Sequence, residues 1–408
     1  MIPSAEIIPQ SVMVADPPKI RVEHLIKIYG ANPQAALQRF RAGASRDDIL
    51  KETGQVLGIA DVSFHINPGE IFVVMGLSGS GKSTLVRCIN RLIDPTSGHI
   101  YIDNTDVAHA SAKQMRHIRL KQVSMVFQRF GLLPHKTVAE NVAYGLKVGG
   151  MGKQQRRQKA LDTLDTVGLG PWADYLPAAL SGGMQQRVGL ARALATDAEI
   201  LLMDEPFSAL DPLIRRGMQG ELLRLQRELN KTIVFISHDI QEALRIGDRI
   251  AVMKDGYIVQ IGAPEDLVVN PADDYIRAFI QDVNRAQVLK AGTIARPTAS
   301  LTLGQPATAA LAQMQQHQLD SIYVLDAHSK PIGILHRRAL EAALPHHGVE
   351  QVMQTDVAMA NAAASVESIF PLCRAGAPVA IVDDAGQFQG VINPADILTH
   401  IGPPDPHP

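Results

Sequence analysis

The chain has 408 residues, 46% of them apolar, and a formal net charge of −2, enough length for two or three domains and enough apolar side chains to give them proper cores. The near-neutral balance excludes the strong positive excess of a nucleic-acid-binding surface, and no run of about 18 apolar residues is present to span a bilayer. The two cysteines, Cys88 and Cys373, give neither a disulfide framework nor a metal-ligand spacing and point to a reducing compartment.

Residues 1–17 lack a basic segment and a continuous apolar core, and are expected to be a flexible leader rather than a secretory signal. Strand composition over Ile20–Tyr29 ends at Gly30. A polar helical stretch follows over Pro33–Glu52, then a second strand around Val62–Ile66. The turn Asn67-Pro68-Gly69 leads into a β-rich run, Glu70–Met75, a glycine loop and a helical pattern over Ser83–Leu92.

That loop, Gly76-Leu77-Ser78-Gly79-Ser80-Gly81-Lys82-Ser83, satisfies G-x-x-x-x-G-K-[ST] with the strand before it and the helix after it that the motif needs. Its glycines let backbone amides converge on phosphate oxygens, and the helix start adds positive potential. Lys82 neutralises β/γ-phosphate charge, and the Ser83 hydroxyl is placed to ligate Mg²⁺.

Residues 113–170 contain a polar connection and an amphipathic pattern (Ala160, Leu161, Leu164, Val167), which predicts helices beside the main sheet. Apolar strand runs at Ile200–Met203 and Thr232–Ile236 alternate with helical patterns at Leu213–Leu229 and Ile240–Arg245, as in a largely parallel α/β sheet. Strands near Ile250–Met253 and Tyr257–Gly262 flank Asp255-Gly256, a hairpin signal. Asp204 and Glu205 end a buried strand, where Asp204 can partner Mg²⁺ and Glu205 can orient or deprotonate water. Gln128 and His238 follow strands as well, at the edge where ligands collect in open α/β sheets.

Together with this phosphate loop, Leu180-Ser-Gly-Gly-Met-Gln-Gln-Arg187 resembles the signature segment of ABC ATPases. The resemblance covers about residues 20–282 and implies a P-loop NTPase nucleotide-binding domain of α/β class, over 18–282, with a helical subdomain. It also implies a homodimer with two ATP molecules between the chains. In that arrangement Ser181, Gly182, Gly183 and Asp211 of the D-loop contact ATP held by the other copy. Tyr29 stacks on adenine, Thr84 follows the loop into the phosphate site, Gln128 adds a metal contact beside Ser83 and Asp204, and Glu205, His238 and Lys82 serve catalysis. Met184 replaces the more frequent Gln of the signature, a small departure because backbone amides make the contact. The region after Gln128, including Phe130–Pro134, is the expected helical coupling surface toward a membrane partner.

The insertion Ala31–Gly54, Asn90-Arg-Leu-Ile-Asp-Pro-Thr-Ser-Gly98 and Met125-Val-Phe-Gln-Arg-Phe-Gly-Leu-Leu-Pro-His135 resemble glycine betaine/proline importer ATPases. That resemblance implies a transmembrane permease, an extracytoplasmic solute-binding protein and a peripheral position on the cytoplasmic face of the membrane. With 4% aromatic residues, the chain is poorly supplied for the aromatic cages that quaternary ammonium groups favour, so solute recognition falls to a partner. Two alternatives stand beside this reading: an importer ATPase for another polar solute such as an amino acid, and a soluble ABC ATPase outside transport. The second would usually bring two cassettes in one chain or a long coiled-coil insertion.

After an expected linker at 283–297, residues 298–408 hold 4 Lys and Arg against 10 Asp and Glu. Asp326, Gly333 and Leu340 recur 57 residues later as Asp383, Gly390 and Ile397. The two copies, 298–345 and 346–408, resemble tandem CBS domains of α+β class. The family's ribose-binding Asp is matched by Asp396 in the second copy and by Ala339 in the first. An ionic-strength sensor, acting through screening over a Debye length of about 8 Å, and a dimerisation element fit the pair equally well.

Overall fold

In the computed structural model, which describes residues 17–128, 131–208, 210–343, 349–375 and 377–401, β1 (Ile20–Tyr29) opens an antiparallel layer. Its inserted segment forms two helices, α1 (Pro33–Arg41) and α2 (Arg46–Thr53), where the sequence suggests one helical stretch. The break is chemical: Ser45 and Asp48 form a reciprocal capping box at the start of α2, and Gly54 closes it in the left-handed conformation. Ala36, Leu37 and Ile49 pack on Ile26, Ile28 and Leu57, so the insertion has its own small core.

β2 (Val56–Ile66) alternates buried and exposed residues, as a half-covered strand should. β3 (Ile71–Met75) is buried throughout and leads to α3 (Lys82–Ile89). β4 (Ser97–Ile102) and β5 (Thr105–Asp106) then return to the antiparallel layer, whose order is β2-β1-β4-β5. α4 (Ala112–Lys121) precedes β6 (Val123–Val126).

A helical layer comes next: α5 (Val138–Val142), α6 (Tyr144–Val148), α7 (Lys153–Thr166) and α8 (Gly182–Leu194), packed around Val142, Leu146, Leu164 and Val188. β7 (Ile200–Asp204), α9 (Pro212–Leu229), β8 (Thr232–Ser237), α10 (Ile240–Ile246), β9 (Arg249–Lys254) and β10 (Tyr257–Gly262) complete the main sheet. Its order is β10-β9-β3-β8-β7-β6, parallel except for the β9–β10 hairpin. β3, β7 and β8 are buried along their whole lengths, the expected state of central parallel strands covered on both faces.

The chain divides into compact units after Leu267. The second unit contains two similar three-stranded sheets, β11 (Ser300–Thr302), β12 (Ser321–Leu325) and β13 (Pro331–His336), then β14 (Met359–Asn361), β15 (Val379–Val382) and β16 (Phe388–Ile392). In each, the first strand runs parallel to the second and the second antiparallel to the third. The repeat extends to hydrogen bonds. Asp326 Oδ1 accepts the His328 and Lys330 amides, and Asp383 Oδ1 accepts the Ala385 and Gln387 amides, in each case folding the hairpin turn around a carboxylate. Tyr323, Leu325 and Ile334 of the first copy pack with Ala380 and Val391 of the second.

Residues 283–297 are not the linker that the sequence suggests. They form short helices at Arg285–Val288 and Ala291–Ile294, with Ala286, Leu289, Ala291 and Ile294 buried. Arg296 and Val391 exchange backbone hydrogen bonds of 2.9 and 3.0 Å, while Gln354, in the opening segment of the second copy, does the same with Ile334 of the first. Each copy thus lends its entry segment to the other's sheet. Gly390, at φ +154°, is required by this crossing, because a Cβ there would stand 2.5 Å from the Arg296 carbonyl oxygen. Residues 268–282, expected with the ATPase domain, cluster with this second unit.

Candidate functional site

The turn from β3 into α3 is shaped by what it touches. Gly76 has φ +146°, and a Cβ there would lie 2.1 Å from the Met253 carbonyl oxygen; at Gly81, φ +104°, it would lie 2.5 Å from the Gly58 carbonyl oxygen. Only glycine suits both backbones. Leu77, Ser78 and Gly79 form the exposed tip, and Ser80 is buried with no hydrogen-bond partner for its Oγ. A buried hydroxyl without a partner is costly unless a ligand or water meets it.

Lys82 is buried, and its Nζ donates to the Gly76 and Leu77 carbonyls at 2.8 Å each. Burial lowers its pKa, against the opposing pull of Glu205 and Asp204. Ser83 Oγ donates to Asp204 Oδ1 at 2.8 Å, and Arg87 Nη2 meets Asp204 Oδ2 at 3.0 Å. Ser83 and Arg87 stand one turn apart on α3, so both face the end of β7. A hydroxyl beside a carboxylate is a hard oxygen donor set that suits Mg²⁺.

Glu205 follows with φ +47°, a left-handed conformation that a side chain rarely adopts and that costs about 1–3 kcal/mol. The bend aims its carboxylate at two neighbours. Gln128 Nε2 donates to Glu205 Oε2 at 3.1 Å, and His238 Nδ1 lies 3.3 Å from the same oxygen. Tyr29 Oη is 3.0 Å from Thr84 Oγ1, while its ring is about one-third exposed and lies over Gly58, where a Cβ would come within 2.8 Å of it. The predicted residues Tyr29, Lys82, Ser83, Thr84, Gln128, Asp204, Glu205 and His238 therefore lie around the phosphate loop.

The remaining predicted residues are engaged differently within the chain. Ser181 caps α8, accepting the Met184 amide at 3.4 Å, and Gly182 faces open space. Gln186, on the same helix, is buried with neither amide atom hydrogen-bonded. Asp211 caps α9, accepting the Leu213 and Ile214 amides at 3.1 Å. Arg215 ties this corner to the His238 turn, donating to the Leu210 carbonyl at 3.2 Å and to Asp239 at 3.3 Å. Sequence reasoning missed Arg87 and Arg215; the four-residue step from Ser83 was the available signal for Arg87.

The segment expected as a helical coupling surface is a loop over 131–137, organised by Asn141, whose side chain bonds the Leu133 amide and the carbonyls of Leu133, Lys136 and Thr137. A side chain with three carbonyls to serve holds backbone that a helix would have paired internally. Phe130, and Ala209 of the D-loop two residues before Asp211, lie outside the described residues. Asp396, the candidate ribose partner, is met by Arg296 at 3.2 Å and by Asn393 Nδ2 at 3.2 Å. Among the described residues no helix is long and apolar enough to cross a membrane.

Comparison with known proteins agrees with this geometry. Residues 59–208 match the ABC transporter family model, and 291–346 and 349–402 each match the CBS domain model. The chain is 47% identical to the glycine betaine transport ATP-binding protein OpuAA of Bacillus subtilis over 92% of this chain and 90% of that one. It is 46% identical to the glycine betaine/proline betaine transport system ATP-binding protein ProV of Escherichia coli over 93% and 96%, respectively. Among solved structures, the dimeric ATP-binding cassette MJ0796 bound to ADP and Pi is 34% identical with a TM-score of 0.51, covering 60% of this chain and 98% of that one. The chain belongs to the ATP-binding subunits of ABC transporters, ATPases coupled to transport, and carries a C-terminal pair of CBS domains.

Proposed function

We propose that two copies of this chain bind ATP between them and use its hydrolysis to drive import of glycine betaine, proline betaine or a related amine osmolyte through a membrane permease. One observation supports the catalytic part above the others: Glu205 is held in a strained conformation with Gln128 and His238 on one of its oxygens, beside the Ser83–Asp204 pair.

In this reading Lys82 exchanges the Gly76 and Leu77 carbonyls for β- and γ-phosphate oxygens. Ser83, Asp204 and Gln128 would hold Mg²⁺, which when bound neutralises phosphate charge. Glu205 accepts a proton from water as the water oxygen bonds to the γ-phosphorus and the bond to the β–γ bridging oxygen breaks, releasing ADP and phosphate. His238 donates toward the γ-phosphate and steadies Glu205. Tyr29 offers the exposed part of its ring to adenine. The amides of Ser181, Gly182 and Gly183 at the start of α8, with Asp211, face ATP on the second copy, an anion site of the kind helix starts provide.

The permease contact falls to the loop around Asn141, which follows Gln128 and the end of β6 in the chain, with the subunit peripheral on the cytoplasmic face and a solute-binding protein outside. The solute class rests on the relatives. A relative from Ruegeria pomeroyi, 48% identical over 74% of this chain, is a trimethylamine N-oxide transport system ATP-binding protein, which extends the class to other small methylated amines. Glu205→Gln should lower ATP turnover by about 100-fold or more; unchanged turnover would remove the catalytic assignment. Uptake into vesicles carrying this chain and its permease should favour labelled glycine betaine over amino acids, and the reverse preference would replace the solute class.

A further inference from the structure

A second cluster of chemistry-bearing side chains sits on the antiparallel layer, built by elements that contribute nothing to the phosphate loop. β4 and β5 form a tight hairpin in which Tyr101 pairs with Asp106 and Ile102 with Thr105. Ile100 and Ile102 are fully buried, which leaves the alternate residues His99 and Tyr101 on the outer face. After β5 the chain folds back on itself: the Val107 amide donates to the Ile100 carbonyl at 2.7 Å, and the Ala108 amide to Asp106 Oδ1 at 3.0 Å. That turn returns His109 to the carboxylate. As a result, His99 Nδ1 and His109 Nδ1 each lie 2.8 Å from one oxygen, Asp106 Oδ2, and the two imidazole centroids are 5.0 Å apart.

We propose that His99, Asp106 and His109 form a binding site for a divalent transition cation of the zinc class. Two imidazoles and one carboxylate are the donor types such ions take, with a further position left to water. Their three donor atoms lie within 4.8 Å of one another. In a tetrahedral site with bonds of about 2.0–2.1 Å, ligand atoms stand about 3.3 Å apart, so each imidazole need withdraw from Asp106 by only about half an ångström. The base is rigid, because Ile100, Ile102 and Val107 are all buried in the main core. The Ala108 amide on Asp106 Oδ1 orients the carboxylate from behind, the kind of support that ligating carboxylates receive in metal sites.

The surroundings do not oppose a cation. Arg21, which stacks over Tyr101, is paired with Glu23, and Glu23 is the residue directly opposite His99 in the β1–β4 register. With both histidines exposed, the site is open to solution. Occupancy would pin the turn that leads from the hairpin to the Ser111 cap of α4, so its effect is structural rather than catalytic.

The test is titration of the full-length, nucleotide-free, chelator-treated chain with Zn²⁺ in competition with a chromophoric indicator, and with Co²⁺ read by its visible absorption. One equivalent should bind, with a tetrahedral Co²⁺ spectrum and a rise in Tm on Zn²⁺ addition. His99→Gln and His109→Gln should each weaken that equivalent by about tenfold or more and remove the Tm rise, while ATP turnover stays unchanged and certifies the fold. Absence of binding, or an equivalent that survives in the double histidine variant, would overturn the proposal and leave the cluster as two imidazoles hydrogen-bonded to a carboxylate.

Discussion

The two units of this chain use carboxylates in opposite ways. Around the phosphate loop they are left in strained or shared positions: Asp204 is divided between Ser83 and Arg87, and Glu205 sits at positive φ between Gln128 and His238, while the buried Ser80 hydroxyl of the loop itself has no partner. In the CBS pair, the matching residues Asp326 and Asp383 each spend an oxygen on two amides of their own turns, and Asp396 is occupied by Arg296 and Asn393. Unmet or strained polar groups mark where a ligand supplies what the protein withholds. Satisfied ones mark where a fold holds itself.

If that contrast is right, substitutions should separate cleanly by unit. The largest effect is expected at Gly76→Ala, where a Cβ meets a backbone carbonyl at 2.1 Å and the loop must move. ATP binding, followed by equilibrium titration, should weaken more than about tenfold, in line with 1–3 kcal/mol of strain. Unchanged affinity would show that the loop does not need its observed shape.

A smaller change is expected at Arg87→Ala. The guanidinium is partly exposed, so solvent screens its pairing with Asp204 and the stability loss should stay below about 1 kcal/mol. Turnover should nevertheless fall several-fold while ATP affinity holds, because Asp204 loses one of the two groups that fix its carboxylate. Equal loss in stability and turnover would make Arg87 merely structural.

The smallest effect belongs to the CBS pair. The Lys330 amide holds the Asp326 carboxyl below its ordinary value of 3.8, against a smaller upward pull from desolvation, and the His328 amide adds a lesser downward pull. A carboxylate with a lowered folded-state pKa gives its full stabilisation above the ordinary value and loses it as pH falls through the folded-state value. Asp326→Asn should therefore flatten the acid limb of the second unit's stability curve, followed by thermal melts below about pH 5, with ATP turnover unaffected. A parallel loss of turnover would break the separation between the units.

How much of this was legible in the sequence depended on how local each piece of chemistry is. Gly76–Ser83 declares itself because eight neighbouring residues carry the whole cradle. β3, β7 and β8 stand out as continuous apolar runs because both of their faces are buried. β4 and β5 are short and half polar, and their strand character comes from pairing, of β4 with β1 and of β5 with β4, rather than from composition. The packed helices within 283–297 span four residues each, too few for any helical period to register. The strain at Glu205, the Arg87–Asp204 pair and the Arg296–Asp396 pair are tertiary facts, since each depends on where a distant segment ends.

The central claim is that the phosphate loop of one copy is completed by the signature segment of another. It is tested most directly by sedimentation of the Glu205→Gln chain with and without ATP, in parallel with the same chain carrying Ser181→Arg. ATP-dependent dimers are expected for Glu205→Gln alone, and monomers for the double variant that still bind ATP with the affinity of a single chain. Monomers of Glu205→Gln in saturating ATP, or loss of single-chain ATP binding on changing Ser181, would contradict it.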